Sequence, residues 1–152
     1  GLLALVVSNQ PGIAKGKFTP QILEAMDKKM ERELTSHGAH LDRIYYCPHH
    51  PEAVLEEYRG NCHCRKPKPG LILRGGEEFN VALEHSYIVG DGLIDIQAGK
   101  TAGLSTIFLG NSNCASCKLM AELDTKPDFI VPDLLEAVKL IQRLEKQNAD
   151  LY

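Results

Sequence analysis

Residues 86–109 read SYIVGDGLIDIQAGKTAGLSTIFL, and the order of residue types within them decides the fold class. Ser86-Tyr87-Ile88-Val89 is a short apolar run that stops at Gly90-Asp91. Leu93 to Ala102 reads as a helix, closed by Gly103, because glycine enters the left-handed region that ends helices at little cost. Ser105 to Leu109 is apolar and strand-like again. Two strands joined through a helix run parallel and connect by a right-handed crossover.

Working outward, the same alternation repeats. Leu2 to Val7 is a continuous apolar run, as expected of a strand buried on both faces of a parallel sheet. Pro20 opens a helix to Ser36 with Thr19 as N-cap. Its apolar residues Ile22, Leu23, Met26, Met30 and Leu34 share one face, and Gly38 ends it. Arg43 to Tyr46 is a second strand, Leu71 to Asn80 a helix, and Asp128 to Val131 a last short strand. Asp133 caps a final helix from Leu134 to Gln147. The expected fold is an α/β, doubly wound parallel sheet in a single domain spanning 1–152. Ligands of such sheets bind beyond the carboxyl ends of the strands. Those ends are Ser8-Asn9-Gln10, Cys47 onward, Gly90-Asp91 and Gly110-Asn111.

The chain has 152 residues and a formal net charge of −3. No block of like charges is present, which argues against non-specific nucleic-acid binding through counterion release. The opening apolar run is too short to span a bilayer. It also lacks the charged start and small-residue cleavage site of a signal peptide. A cytoplasmic protein with no nucleic-acid or membrane partner is expected.

Five cysteines are present. Cys47-Pro48-His49-His50 and Cys62-His63-Cys64 frame a stretch with no long periodic pattern. Three thiolates and one imidazole make a closed tetrahedral site that selects Zn²⁺, so Cys47, His49, Cys62 and Cys64 are the expected ligands of a structural zinc. His50 and His63 remain alternatives. A staple is needed there, because a long irregular loop is unusual in a compact domain. Cys114 and Cys117 cannot close a site alone and read as loop cysteines, redox-sensitive if exposed.

The strand ends carry the rest of the chemistry. Ser8 and Asn9 offer neutral hydrogen-bond donors suited to a phosphoryl group, against the plainer reading of a polar turn. Asp91 directly after a buried strand suits Mg²⁺, which binds through one or two carboxylates plus phosphate oxygens. Asp95, one turn on, would orient the metal's water or cap the helix. Arg65 and Lys66, in a loop stiffened by Pro67 and Pro69, suit a phosphate clamp, or else a solvated basic loop. Gly90-x-Gly92 fails as a dinucleotide fingerprint because Asp95 occupies the third glycine position. Gly99-Lys100-Thr101 fails as a P-loop because it ends a helix and Ile94 stands where the earlier glycine is required.

Taken together, these residues resemble the haloacid dehalogenase superfamily phosphatases. Ser8, Lys66 and Asp91 with Asp95 match the family's second, third and fourth motifs. The runs from Val7 to Gly16 and from Cys47 to Pro67 are similar to its zinc-stapled branch, which acts on heptose bisphosphates and histidinol phosphate. The resemblance implies a Mg²⁺-dependent phosphatase acting on a phosphorylated sugar as a monomer. Ser8, Asn9, Lys66 and Asp91 would be catalytic, and Gln10, Arg65 and Lys66 would contact substrate. It also implies an aspartyl-phosphate formed on an Asp-x-Asp motif, which none of the 152 residues supplies. The absent strand is expected at the centre of the sheet, between those ending at Ser8 and Asp91. Histidinol-phosphate hydrolysis is an alternative, and so is a non-catalytic zinc-stabilised module that holds a phosphorylated ligand. Gly92 departs from the family, which often has lysine or another larger residue there.

Overall fold

The computed structural model describes residues 1–111, 115–122 and 125–149. The chain divides into two compact units, Gly1–Arg65 with Gly70–Gly75, and Lys66–Pro69 with Gly76–Tyr152. Every strand pair is parallel, as the crossover pattern requires, and the described strands form a two-stranded sheet and a three-stranded one.

In the first unit β1 (Leu5–Asn9) pairs with β2 (Arg43–Cys47), in register from Leu5↔Arg43 to Asn9↔Cys47. A short helix α1 (Pro11–Ala14) and the long α2 (Pro20–Ser36) connect them. Thr19 caps α2, its hydroxyl accepting the Ile22 N–H at 3.4 Å. Gly38 follows the helix with φ 72°, a conformation that only glycine takes cheaply. Three expectations are corrected. β1 begins at Leu5 rather than Leu2, because pairing starts where Ala4 meets Asp42 through N–H to Oδ2 at 2.6 Å. Its residues are half-buried rather than buried on both faces, since β2 is its one described sheet neighbour. The apolar stripe of α2 is also narrower than expected. Leu23 is buried, Met30 and Leu34 are half-buried, and Ile22 and Met26 face solvent.

In the second unit β3 (Tyr87–Gly90), β4 (Ser105–Leu109) and β5 (Phe129–Val131) lie in that order. The helix α3 (Gly70–Phe79), whose residues Gly70–Gly75 belong to the first unit, precedes them in the chain and ends at Asn80, whose φ is 51°. The helix α4 (Leu93–Ala102) packs on β3 and β4, and α6 (Leu134–Ala149) on all three strands. The close approach of α4 requires Gly99, where a Cβ would lie 2.3 Å from Ile88 Cγ2. Ile96, Phe108 and Met120 form a buried cluster with Leu93 against it. Burying each large apolar side chain contributes roughly 1.5–3 kcal/mol. Met120 comes from α5 (Ala115–Glu122), a helix the sequence reading missed. Asp133 caps α6 as expected, Oδ1 accepting the Glu136 N–H at 2.9 Å.

β4 and the start of β5 are locked by a polar cluster. Asp128 Oδ2 accepts the N–H of Thr106 at 2.7 Å and its hydroxyl at 2.6 Å, and Lys100 Nζ lies 3.3 Å from Oδ1. Burial works against the Asp128 carboxylate, yet Thr106 and Lys100 outweigh it and hold its pKa below the usual range. Among the described residues, no helix is long and apolar enough to cross a membrane.

Candidate functional site

In the first unit the parallel register puts the end of β1 beside the end of β2. Asn9 pairs with Cys47, and the Gln10 N–H donates to the Cys47 carbonyl at 2.8 Å. The end of β1 at Ser8 and Asn9, and Gln10 just beyond it, therefore lie next to the loop that begins with Cys47. All three are half-buried.

That loop folds back so that Cys47, His49, Cys62 and Cys64 come together, with their ligand atoms all within 4.8 Å of one another. His49 Nδ1 is 3.8 Å from both Cys47 Sγ and Cys64 Sγ. Metal–sulfur bonds of about 2.3 Å and metal–nitrogen bonds of about 2.0–2.1 Å give tetrahedral edges of about 3.8 Å between sulfurs and about 3.6 Å between nitrogen and sulfur, so these spacings fit a four-coordinate cation. Cys62 and Cys64 approach more closely, at 2.7 Å, and would open by about an ångström to close around an ion. Burial raises the pKa of the Cys64 thiol, and contacts with Cys47 and Cys62 raise it further. Gathered sulfur of this kind resists ionisation until a cation supplies the missing charge. His50 and His63 are outside the cluster. The loop is held by backbone bonds, including Gly60 N–H to the His50 carbonyl at 3.3 Å. A single turn, Glu56–Tyr58, is its local regular structure. The Arg65 side chain, expected near substrate, braces the loop through Nη1 to the His49 carbonyl at 3.1 Å.

In the second unit Asp91 follows β3 and its carboxylate is exposed. Asp95, in the first turn of α4, is buried and serves two partners. Oδ2 accepts the Gly92 N–H at 3.1 Å, and Oδ1 lies 2.6 Å from Lys66 Nζ. The two side chains of this ion pair are only 12% and 11% exposed. Gly90 makes room for it, since a Cβ there would fall 2.5 Å from Asp95 Cβ. Of the two roles the sequence allowed Asp95, the helix cap is seen in the bond from the Gly92 N–H. Its pairing with Lys66 was missed, because nothing in the spacing of residues 66 and 95 announces a contact. The glycines at 90 and 92 were the available signal that something buried lies between them. Cys117 lies in the helix α5 rather than in a loop as expected, while its side chain and all of Cys114 lie outside the described residues.

Comparison with known proteins adds the family. A family model described as HAD-hydrolase-like matches residues 63–137. The chain is 36% identical over 146 residues to the D-glycero-beta-D-manno-heptose-1,7-bisphosphate 7-phosphatase of Salmonella typhi, covering 96% of this chain and 76% of that protein. The chain belongs to the haloacid dehalogenase-like hydrolases. The Escherichia coli K12 enzyme of the same name is equally similar, at 36% identity with 75% of its length covered. Among solved structures, this hydrolase chain superposes on the D,D-heptose 1.7-bisphosphate phosphatase of B. bronchiseptica, complexed with magnesium and phosphate. The TM-score is 0.76 at 28% identity, over 95% of this chain and 75% of that one. A HAD-like phosphatase from Mesorhizobium loti, described as putative, gives a TM-score of 0.79 at 29% identity, over 96% and 67%.

Proposed function

We propose that this hydrolase removes the 7-phosphate of D-glycero-D-manno-heptose 1,7-bisphosphate, leaving the 1-phosphate. The observation that carries the proposal is the 36% identity, over nearly the whole chain, to phosphatases named for that substrate. The residues present suit phosphoryl chemistry. Ser8 and Asn9 offer uncharged donors to the non-bridging phosphate oxygens, and Lys66 offers a fixed positive charge. Gln10 and Arg65 contact the rest of the sugar phosphate. Asp91 is an exposed carboxylate at a strand end, the donor type that a hard cation takes alongside phosphate oxygens. Magnesium bound there would neutralise phosphate charge. Zinc would be held by Cys47, His49, Cys62 and Cys64, and would tie the end of β2 to the Cys62–Cys64 turn. The phosphorus–oxygen bond to the sugar breaks as the phosphoryl group passes to an aspartate that these 152 residues do not supply. Water then releases it as inorganic phosphate.

Release of inorganic phosphate by the product of the complete reading frame tests this reading. With magnesium present, the heptose bisphosphate is expected to be cleaved with a kcat/KM at least about tenfold above that for histidinol phosphate. Equal rates on the two substrates would defeat the substrate assignment. No release from either would defeat the enzymatic one.

A further inference from the structure

Two of the cluster sulfurs differ from the third in spacing and in access. Cys62 Sγ and Cys64 Sγ are 2.7 Å apart, although both cysteines are free. That is well inside the tetrahedral edge of about 3.8 Å and nearer to the S–S bond of about 2.05 Å. The local chain builds this approach. The Arg65 N–H donates to the Cys62 carbonyl at 3.3 Å, and the Cys64 N–H to Cys62 Sγ, also at 3.3 Å, which closes a tight turn. The Gly70 N–H holds that turn from outside, donating to the His63 carbonyl at 3.2 Å, and a Cβ on Gly70 would fall 2.5 Å from the same oxygen. Cys47 is fully buried, whereas Cys62 and Cys64 are part-exposed between the exposed Asn61 and His63. A small oxidant therefore reaches the close pair before it reaches Cys47.

We propose that Cys62 and Cys64 are an oxidation site: hydrogen peroxide joins them as a disulfide, and the chain then lets go of its zinc and loses activity until a thiol reductant reopens the pair. The inference rests on the zinc reading of the cluster and not on the choice of substrate. In the loaded cluster both sulfurs are thiolates, the form that attacks a peroxide. One thiolate attacks a peroxide oxygen, the O–O bond breaks, and the departing hydroxide takes a proton from solvent to leave as water. The second thiolate attacks the sulfenic acid so formed. The S–S bond forms, the S–O bond breaks, and a second hydroxide leaves as water with another solvent proton. The two sulfurs give up two electrons, and the peroxide that takes them becomes two waters. Disulfide sulfurs lack the charge that binds zinc, and Cys47 with His49 supplies only two of the four ligands a closed site needs. A disulfide between part-exposed cysteines is of the labile kind that reductants reopen. Because the Cys47 carbonyl holds the Gln10 N–H, the loss reaches the end of β1, where Ser8 and Asn9 lie.

The test uses the full-length protein, purified reduced and loaded with zinc, with its metal content measured before any oxidant is added. About 1 mM hydrogen peroxide is then supplied, released zinc is read with a chromogenic chelator, and thiols are mapped by peptide mass. About one zinc per chain is expected to appear as the tryptic peptide of residues 60–65 loses two hydrogens. Phosphatase activity should fall at least about tenfold, and dithiothreitol with zinc should return it to within about twofold of the start. A Cys114→Ser, Cys117→Ser double variant should release zinc at the same rate within about twofold. Zinc retained under peroxide, zinc lost with residues 60–65 still reduced, release that depends on Cys114 and Cys117, or full activity in the oxidised chain would each overturn the inference. Reduced protein that holds no zinc would overturn the zinc reading together with it, and the metal measurement made before oxidation tells that result from retention.

Discussion

Replacing Asp95 separates two duties that one carboxylate performs. Asp95→Asn keeps an oxygen to accept the Gly92 N–H but removes the charge that faces Lys66 at 2.6 Å. At an effective dielectric near 20, unit charges about 4 Å apart attract by about 4 kcal/mol before desolvation is subtracted. Removing one partner of a well-buried pair costs about 3–5 kcal/mol, because the other charge is stranded. Lys66 retains slight exposure and can reach water, so about 2–4 kcal/mol is expected for Asp95→Asn. For a chain of this size each kcal/mol moves Tm by roughly 2–4 °C, giving a fall of about 5–15 °C. Asp95→Ala also loses the cap and should cost about 1 kcal/mol more. Thermal unfolding of Asp95→Asn, Lys66→Met and the double variant gives a cycle whose coupling is expected near 2 kcal/mol. A coupling below about 0.5 kcal/mol, with the Tm of Asp95→Asn within a degree or so of the parent, would show that the pair does not hold this region together.

Two further outcomes follow from the geometry. A zinc-selective chelator should lower Tm by roughly 10 °C or more while leaving magnesium affinity at Asp91 within about twofold, since structural zinc sites supply much of the folding energy of the segments they close; an unchanged midpoint in a differential scanning experiment would refute the staple. The folded-state pKa of Asp128 is depressed, so the stability it adds is fully present above its unfolded pKa and is lost as pH falls through the folded value; Asp128→Asn should flatten that acid limb in a series of urea titrations, modestly because the side chain is partly exposed, and an unaltered limb would count against the Thr106–Asp128–Lys100 cluster.

Local signals in the chain carried most of the secondary structure. α2 and α4 begin and end where Thr19, Pro20 and Gly103 imply, because caps and breakers act within a few residues of themselves. The four metal-type residues were legible for a similar reason, since thiols and imidazoles in paired spacing have few other uses. Long-range facts were less legible. The stripe on α2 contained more apolar residues than the molecule buries, and periodicity says which residues share a face, not how much of it is covered. α5 lies in a segment rich in polar and small residues, where Met120 is drawn into the core. The Lys66–Asp95 pair joins residues whose meeting depends on tertiary packing. Arg65 was expected to face substrate and spends one of its donors on the loop's own backbone.

The peptide of Cys47 belongs to two neighbourhoods at once. Its sulfur faces His49 while its carbonyl anchors the chain as it departs β1 at Gln10. An ion held in the sulfur nest would therefore sit one residue's width from the backbone that presents Ser8 and Asn9. Loading and unloading that ion would be audible at a distance of a single hydrogen bond, and the exchange rate of the Gln10 amide proton becomes a gauge of metal occupancy.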